Sequence, residues 1–189
     1  MLLLLLACHR WTPDPKVDLD GDGWLDAVTA GPTNQKPKVS WNSQGRLGEA
    51  VSLEGGSSYK PSSVGVGDLD GDGIPDVVAA NSGATHLTYF AGKKARGFSP
   101  GVDWDSVYNP TQLVIGDING DTRLDVITTH LDTQTVEIHP NLGQGQFGKA
   151  TNLSARSPQG VALGDVNGDG VLDLIIADTP IQVCLGRSR

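Results

Sequence analysis

S-S-V-G-V-G-D-L-D-G-D-G-I-P-D-V-V-A-A-N, residues 62–81, sets four carboxylates, Asp68, Asp70, Asp72 and Asp76, between two short apolar runs. Valines lead into the acidic stretch and valines leave it, so a strand is expected on each side. Gly71 and Gly73 supply the backbone freedom for a sharp turn between them. Pro75 works against a helix directly after the turn. Carboxylates this crowded repel one another unless positive charge sits among them.

The same nine-residue phrase occurs four times. D-L-D-G-D-G-W-L-D begins at Asp18, D-L-D-G-D-G-I-P-D at Asp68, D-I-N-G-D-T-R-L-D at Asp117 and D-V-N-G-D-G-V-L-D at Asp165, at offsets of 50, 49 and 48 residues. A near-constant period is the signature of a repeat architecture. Each interval reads alike: an apolar run before the turn, another after it, an alternating stretch such as T-V-E-I-H-P or H-L-T-Y-F-A, a Gly-rich turn, and a weak last strand such as Q-F-G-K-A-T-N-L. No stretch carries a period of 3.6 over helical length. Four strands per repeat of about 48 residues suit a propeller blade, a small antiparallel sheet that cannot bury its faces alone. The predicted fold is all-β: a β-propeller of about four four-stranded antiparallel blades, open or closed by the N-terminal segment.

Counting from the first Asp of each phrase, oxygen-bearing side chains fall at positions 1, 3, 5 and 9, and the backbone carbonyl at position 7 lies near them. The candidate ligands are Asp18, Asp20, Asp22, Trp24 and Asp26; Asp68, Asp70, Asp72, Ile74 and Asp76; Asp117, Asn119, Asp121, Arg123 and Asp125; and Asp165, Asn167, Asp169, Val171 and Asp173. An all-oxygen, flexible set of this kind describes Ca²⁺ rather than Zn²⁺ or Mg²⁺, with up to four ions. A helical EF-hand is rejected, because it needs a Glu at position 12, where Thr29, Ala79, Thr128 and Ile176 stand. Plain Asp-Gly turns would explain one phrase, but not four with the same oxygens. Thr122 replaces Gly and Asn119 replaces Asp in the third phrase, so that site is expected to be the weakest; the first two, with four carboxylates each, are expected to be the tightest.

Gross composition agrees. The net charge is −8, which argues against nucleic-acid and anionic-membrane partners, and 14 of the 22 acidic residues lie in the four phrases. Four Ca²⁺ would bring that charge to zero. No segment is long enough to span a membrane.

The turns, with strands on both sides and Gly97-Phe98 and Phe147-Gly148 following, resemble FG-GAP/VCBS repeats, the blades of integrin-alpha-like propellers. The resemblance runs over residues 11–189, most strongly from about Lys16. It implies calcium at the turns and an extracellular or cell-surface role in adhesion, binding or assembly, with a protein or glycan ligand or other copies of the chain as partners. Propellers of this family often have six or seven blades, against four phrases here.

Residues 1–10 form a separate apolar segment. Leu5-Leu6-Ala7-Cys8 resembles a bacterial lipobox, which implies a lipid anchor at Cys8, although the apolar run is short and no Lys or Arg precedes it. Two other readings stand beside this one. The segment closes the ring beside residues 180–186, with a Cys8–Cys184 disulfide, or it pairs with another copy and builds a filament.

No catalytic motif is present, and an enzyme is not expected. Gly143 to Gly148 matches G-x-G-x-x-G but lies between strands, so a hairpin is expected there. His9, His86, His130 and His139 lack partners at ligand spacing and are read as surface or strand residues. Trp104, between Asp103 and Asp105, is read as a packing residue in a loop, with sugar binding as the rival. The function expected is a calcium-binding module for adhesion or assembly, with an extracellular filament subunit and a lectin-like accessory domain of a secreted enzyme as alternatives.

Overall fold

Four antiparallel sheets follow one another along the chain. The computed structural model describes residues 17–31, 35–57 and 60–186. The first sheet has strands Ala27–Thr29, Lys38–Ser40 and Val51–Ser52, with a further bridge between Val17 and Asp26. The second runs Pro61–Gly67, Asp76–Asn81, His86–Phe90 and Val102–Asp105. The third runs Gln112–Gly116, Asp125–His130, Thr135–His139 and Thr151–Ser154, and the fourth Gly160–Gly164, Asp173–Ala177 and Gln182–Cys184. Each is a meander in which neighbours in sequence are neighbours in space. No helix occurs among the described residues.

The expected strands therefore form, and the acidic phrases lie between the first and second strands of the second, third and fourth sheets. Four strands are present in the second and third sheets; the first and fourth have three among the described residues. The closing role, lipid anchor and disulfide considered for residues 1–10 and Cys8 fall outside those residues.

Alternation along each second strand gives both sheet faces a core to build. Val77 and Ala79 join Val28, Val39 and Leu53 of the first sheet, while Val78 and Ala80 join Leu113 and Val126 of the third. Ile127 and Val136, in turn, pack on Val161, Leu174 and Ile176 of the fourth. All three cores lie between sheets, as a propeller-like arrangement requires.

The sheets approach closely because glycine faces the gap. A β-carbon at Gly67 would lie 2.7 Å from Leu124 Cδ1 of the third sheet. One at Gly116 would lie 2.5 Å from Leu163 Cδ1 and 3.1 Å from Leu172 Cδ1 of the fourth. Beside each second and third sheet a two-stranded hairpin carries the Gly-Phe or Phe-Gly pair, Gly92–Lys93 with Gly97–Phe98 and Asn141–Gly143 with Gln146–Phe147. The latter is the G-x-G-x-x-G stretch, and it turns through Gln144 and Gly145, both at positive φ, as the hairpin reading expects.

Candidate functional site

Each acidic turn is tied down by its own amides. Asp18 accepts the N–H of Gly21 at 2.8 Å and of Gly23 at 2.7 Å, and Asp68, Asp117 and Asp165 repeat the pattern. The Gly23 amide holds the Asp18 carboxyl below its ordinary value, and Gly170 does the same for Asp165. The carboxylate at position 5 accepts the N–H of position 7, so Asp22, Asp72, Asp121 and Asp169 cap Trp24, Ile74, Arg123 and Val171. Position 6 sits at φ between 82° and 88° in the three turns that have Gly there; in the third, Thr122 takes φ 70°, a strained setting for a β-branched residue.

Position 9 has a second duty. Asp26, Asp76, Asp125 and Asp173 are all buried, at 5% exposure or less. One oxygen of Asp76 accepts Leu69 N–H at 2.8 Å and the other Gly92 N–H at 2.7 Å. Asp26 does this with Leu19 and Asn42, and Asp173 with Val166 and Gly186. Asp125 accepts Asn141 N–H at 2.8 Å. In the second and third sheets the late carboxylate thus joins the turn to the hairpin that follows the third strand. Burial pushes Asp76 and Asp125 up, against the pull of these amides.

Positive groups already sit among some of the carboxylates. The Arg96 guanidinium, from the hairpin of the second sheet, donates to Asp20 and, at 3.1 Å, to Asp22 of the first turn. Asp20 raises the Arg96 pKa in return. In the third turn Arg123 pairs with Asp121, and Asn119 donates to Asp125 at 3.0 Å; in the fourth, Asn167 donates to Asp169 at 2.9 Å. Among the described residues, Asp68, Asp70 and Asp72 of the second turn accept only backbone N–H groups.

Two sets of oxygens converge closely enough for one ion. Oxygens of Asp18, Asp20 and Asp22 lie within 4.8 Å of one another, as do those of Asp68, Asp70 and Asp76. The donors are carboxylate oxygens throughout, and Arg96 shows that the first set accepts a cation, so the residues fit a hard divalent ion.

A cleft of about 170 Å³ opens beside the first turn, between the outer strand of the first sheet and the hairpin of the second. Val39, Trp41, Leu53, Glu54, Arg96 and Phe98 line it. Trp41 stacks on Phe98 at 6.2 Å, and Arg96 lies 5.8 Å from the centre of the Trp41 ring. Sequence reading missed this cleft, since residues 42 to 59 positions apart face each other across it. Trp104, read as a loop residue, lies instead in the strand Val102–Asp105, stacks on Phe147 at 4.3 Å and donates to His139 Nδ1.

Carboxylates also clip each sheet to the one before it. Asp103 accepts the Ser57 N–H at 2.7 Å, Glu137 accepts Val107 N–H at 2.8 Å and Ser106 Oγ at 2.7 Å, and Asp178 accepts Arg156 N–H at 2.8 Å and Ser157 N–H at 2.9 Å. Glu137 lies between His130 Nε2 at 3.2 Å and His139 Nε2 at 3.4 Å. Those two histidines are wholly buried strand residues, so of the two readings offered for them the strand one holds. Desolvation pushes Glu137 up, but the neighbouring His130 and His139 and the bonds from Val107 and Ser106 outweigh it and hold the carboxyl well below the usual glutamate range.

The FG-GAP-like repeat profile matches residues 18–79, 68–128 and 117–176, overlapping segments that each run from one acidic turn through the strand after the next. These segments cover most of the chain, which therefore belongs to the FG-GAP-like repeat family. No curated protein matches the chain significantly. Among solved structures it is similar to an Agrocybe aegerita lectin described as recognising non-reducing terminal N-acetylglucosamine. The TM-score is 0.57 at 23% identity, over 84% of this chain and 44% of the lectin chain. At that identity the likeness is one of fold, and the chain spans less than half the length of the lectin. No helix among the described residues is long and apolar enough to cross a membrane.

Proposed function

We propose that this repeat protein is a calcium-stiffened extracellular binding module, its four sheets serving as blades of a propeller and its acidic turns as calcium sites. The observation that carries the reading is the recurrence of one oxygen-only turn in four sheets, with two carboxylate sets converging on a point. In each turn the side-chain oxygens at positions 1, 3 and 5 and the position 7 carbonyl would hold the ion, with the position 9 carboxylate completing the set as in the second turn. Bound calcium would supply the positive charge that the turn lacks. The position 9 carboxylate carries that constraint to the hairpin, and so to the gap between sheets. The role is structural, and no catalytic step is assigned.

The ligand class proposed is a glycan, at the cleft between the first two sheets. Trp41 and Phe98 offer aromatic faces, while Glu54 and Arg96 bring charged hydrogen-bonding groups to the same wall. A sugar ring presents one apolar face and polar edges, which matches that lining. The fold shared with a lectin is compatible with this but does not identify the sugar.

Calorimetric titration with Ca²⁺, followed by glycan-array binding with and without EDTA, tests both parts. Affinities of roughly 10⁻⁴–10⁻³ M are expected for extracellular sites of this kind. At a hundredfold excess each occupied site adds about 2.7 kcal/mol to stability. No heat of binding and an unfolding curve indifferent to EDTA would overturn the metal reading. An array without EDTA-sensitive hits would overturn the glycan reading alone.

A further inference from the structure

The residue before each acidic phrase and the residue at its position 8 form a set of matched pairs across the sheet gaps. Gly67 of the second sheet receives Leu124 of the third turn, and Gly116 of the third sheet receives Leu172 of the fourth turn. At the first gap the same two sequence places hold Val17 and Pro75, neither a glycine nor a leucine. Two members of the series are left over. Gly164 of the fourth sheet has the place of Gly67 and Gly116, yet among the described residues a β-carbon there would meet only Ile175 Cδ1 of its own sheet, at 3.8 Å. Leu25 of the first turn has the place of Leu124 and Leu172, yet it is 49% exposed.

The surface around Gly164 has the same unfinished character. In the second sheet the row Gly65, Val78 and Tyr89, and in the third the row Val114, Ile127 and Ile138, face the next sheet. Val78 and Ile127 are fully buried there. In the fourth sheet the matching row is Ala162, Ile175 and Val183. Ala162 is exposed, Ile175 half-buried and Val183 48% exposed, with Ile181, just before that last strand, exposed as well.

We propose that Leu25 of one copy of this chain seats on Gly164 of another, so that copies associate head to tail through the packing that already joins neighbouring sheets. A glycine hole takes a leucine knob at both gaps where the structure holds such a pair, and Leu25 is the one exposed position 8 leucine among the described residues. The contact is heterologous, since knob and hole lie on different faces, so it builds a ring or an open filament rather than a closed pair. The proposal needs neither the metal nor the glycan.

Two variants and their mixture test it. Gly164→Leu fills the hole, and the space left around Gly164 by the described residues lets the lone chain keep its fold; Leu25→Ser removes the knob. Sedimentation velocity of the wild type from about 1 μM to about 1 mM, the range in which weak interfaces show themselves, should give a mass that grows with concentration. Each variant alone should stay at the 19.8 kDa of one chain. Their mixture should stop at two copies, because the Leu25 of one variant meets the Gly164 of the other and neither product can extend. A monomeric wild type at the highest concentration overturns the proposal. So does either variant assembling like the wild type, or a mixture that stays monomeric while both variants keep wild-type circular dichroism.

Discussion

Arg96 of the second sheet's hairpin donates to Asp20 in the acidic turn of the first sheet. A charge supplied by one repeat thus already neutralises part of the turn of another, and a divalent ion entering there must displace or share it. Arg96→Gln should therefore raise the calcium affinity of the first turn by a few fold and leave the second turn unchanged. Calorimetric titration of the two proteins would show it, and Trp41, against which the guanidinium lies, should report the change in its fluorescence.

Asp72 and Asp76 belong to one turn but should fail in different ways. Asp76→Ala strands the buried Leu69 and Gly92 amides and should cost about 2–4 kcal/mol with or without calcium. Asp72→Ala removes an exposed carboxylate and should cost under about 1 kcal/mol in EDTA, with most of its effect appearing only when calcium is present. Urea denaturation in the two buffers separates them.

Thr122 stands at a positive φ where the other three turns have Gly. Thr122→Gly relieves about 1–2 kcal/mol of strain and gives back part of it in unfolded-chain entropy. A net gain of about 0.5 kcal/mol, or a rise of roughly 1–2 °C in Tm, is expected by calorimetry. The converse change, Gly73→Thr, should lower Tm.

Glu137 sets an acid limit. Its folded pKa is depressed, so the stability it contributes is full above the ordinary glutamate value of 4.5 and is lost as pH falls below it. Glu137→Gln should flatten the fall in stability with pH below that value. It should also weaken the protein at neutral pH, because the Ser106 and Val107 donors face a poorer acceptor. Chemical denaturation at a series of pH values checks both.

The repeat was legible because its chemistry is local: D-x-D-G-D-G closes on itself within nine residues, and its strands show their period on either side. What the sequence hid depends on distant partners. The position 9 aspartates read as ligands alone, yet Asp26, Asp76 and Asp125 each bind an amide 16 residues on. The constant spacing from turn to hairpin was the available signal. Glu137 lies unremarked in the alternating stretch T-V-E-I-H-P, and its burial beside two histidines depends on the packed sheet. Trp104 read as a packing residue, but nothing nearby announces the strand that carries it or Phe147, on which it stacks.

Among the described residues four sheets share three hydrophobic cores, and each core draws its side chains from two consecutive sheets. A single repeat cut from the chain would carry two half-interiors and no whole one. The smallest piece able to fold is therefore a pair, and duplication or loss of one repeat changes the count of cores by one without disturbing those that remain. Length in such a molecule is adjustable in units of one acidic turn, provided that the glycine behind it and the leucine ahead of it travel together.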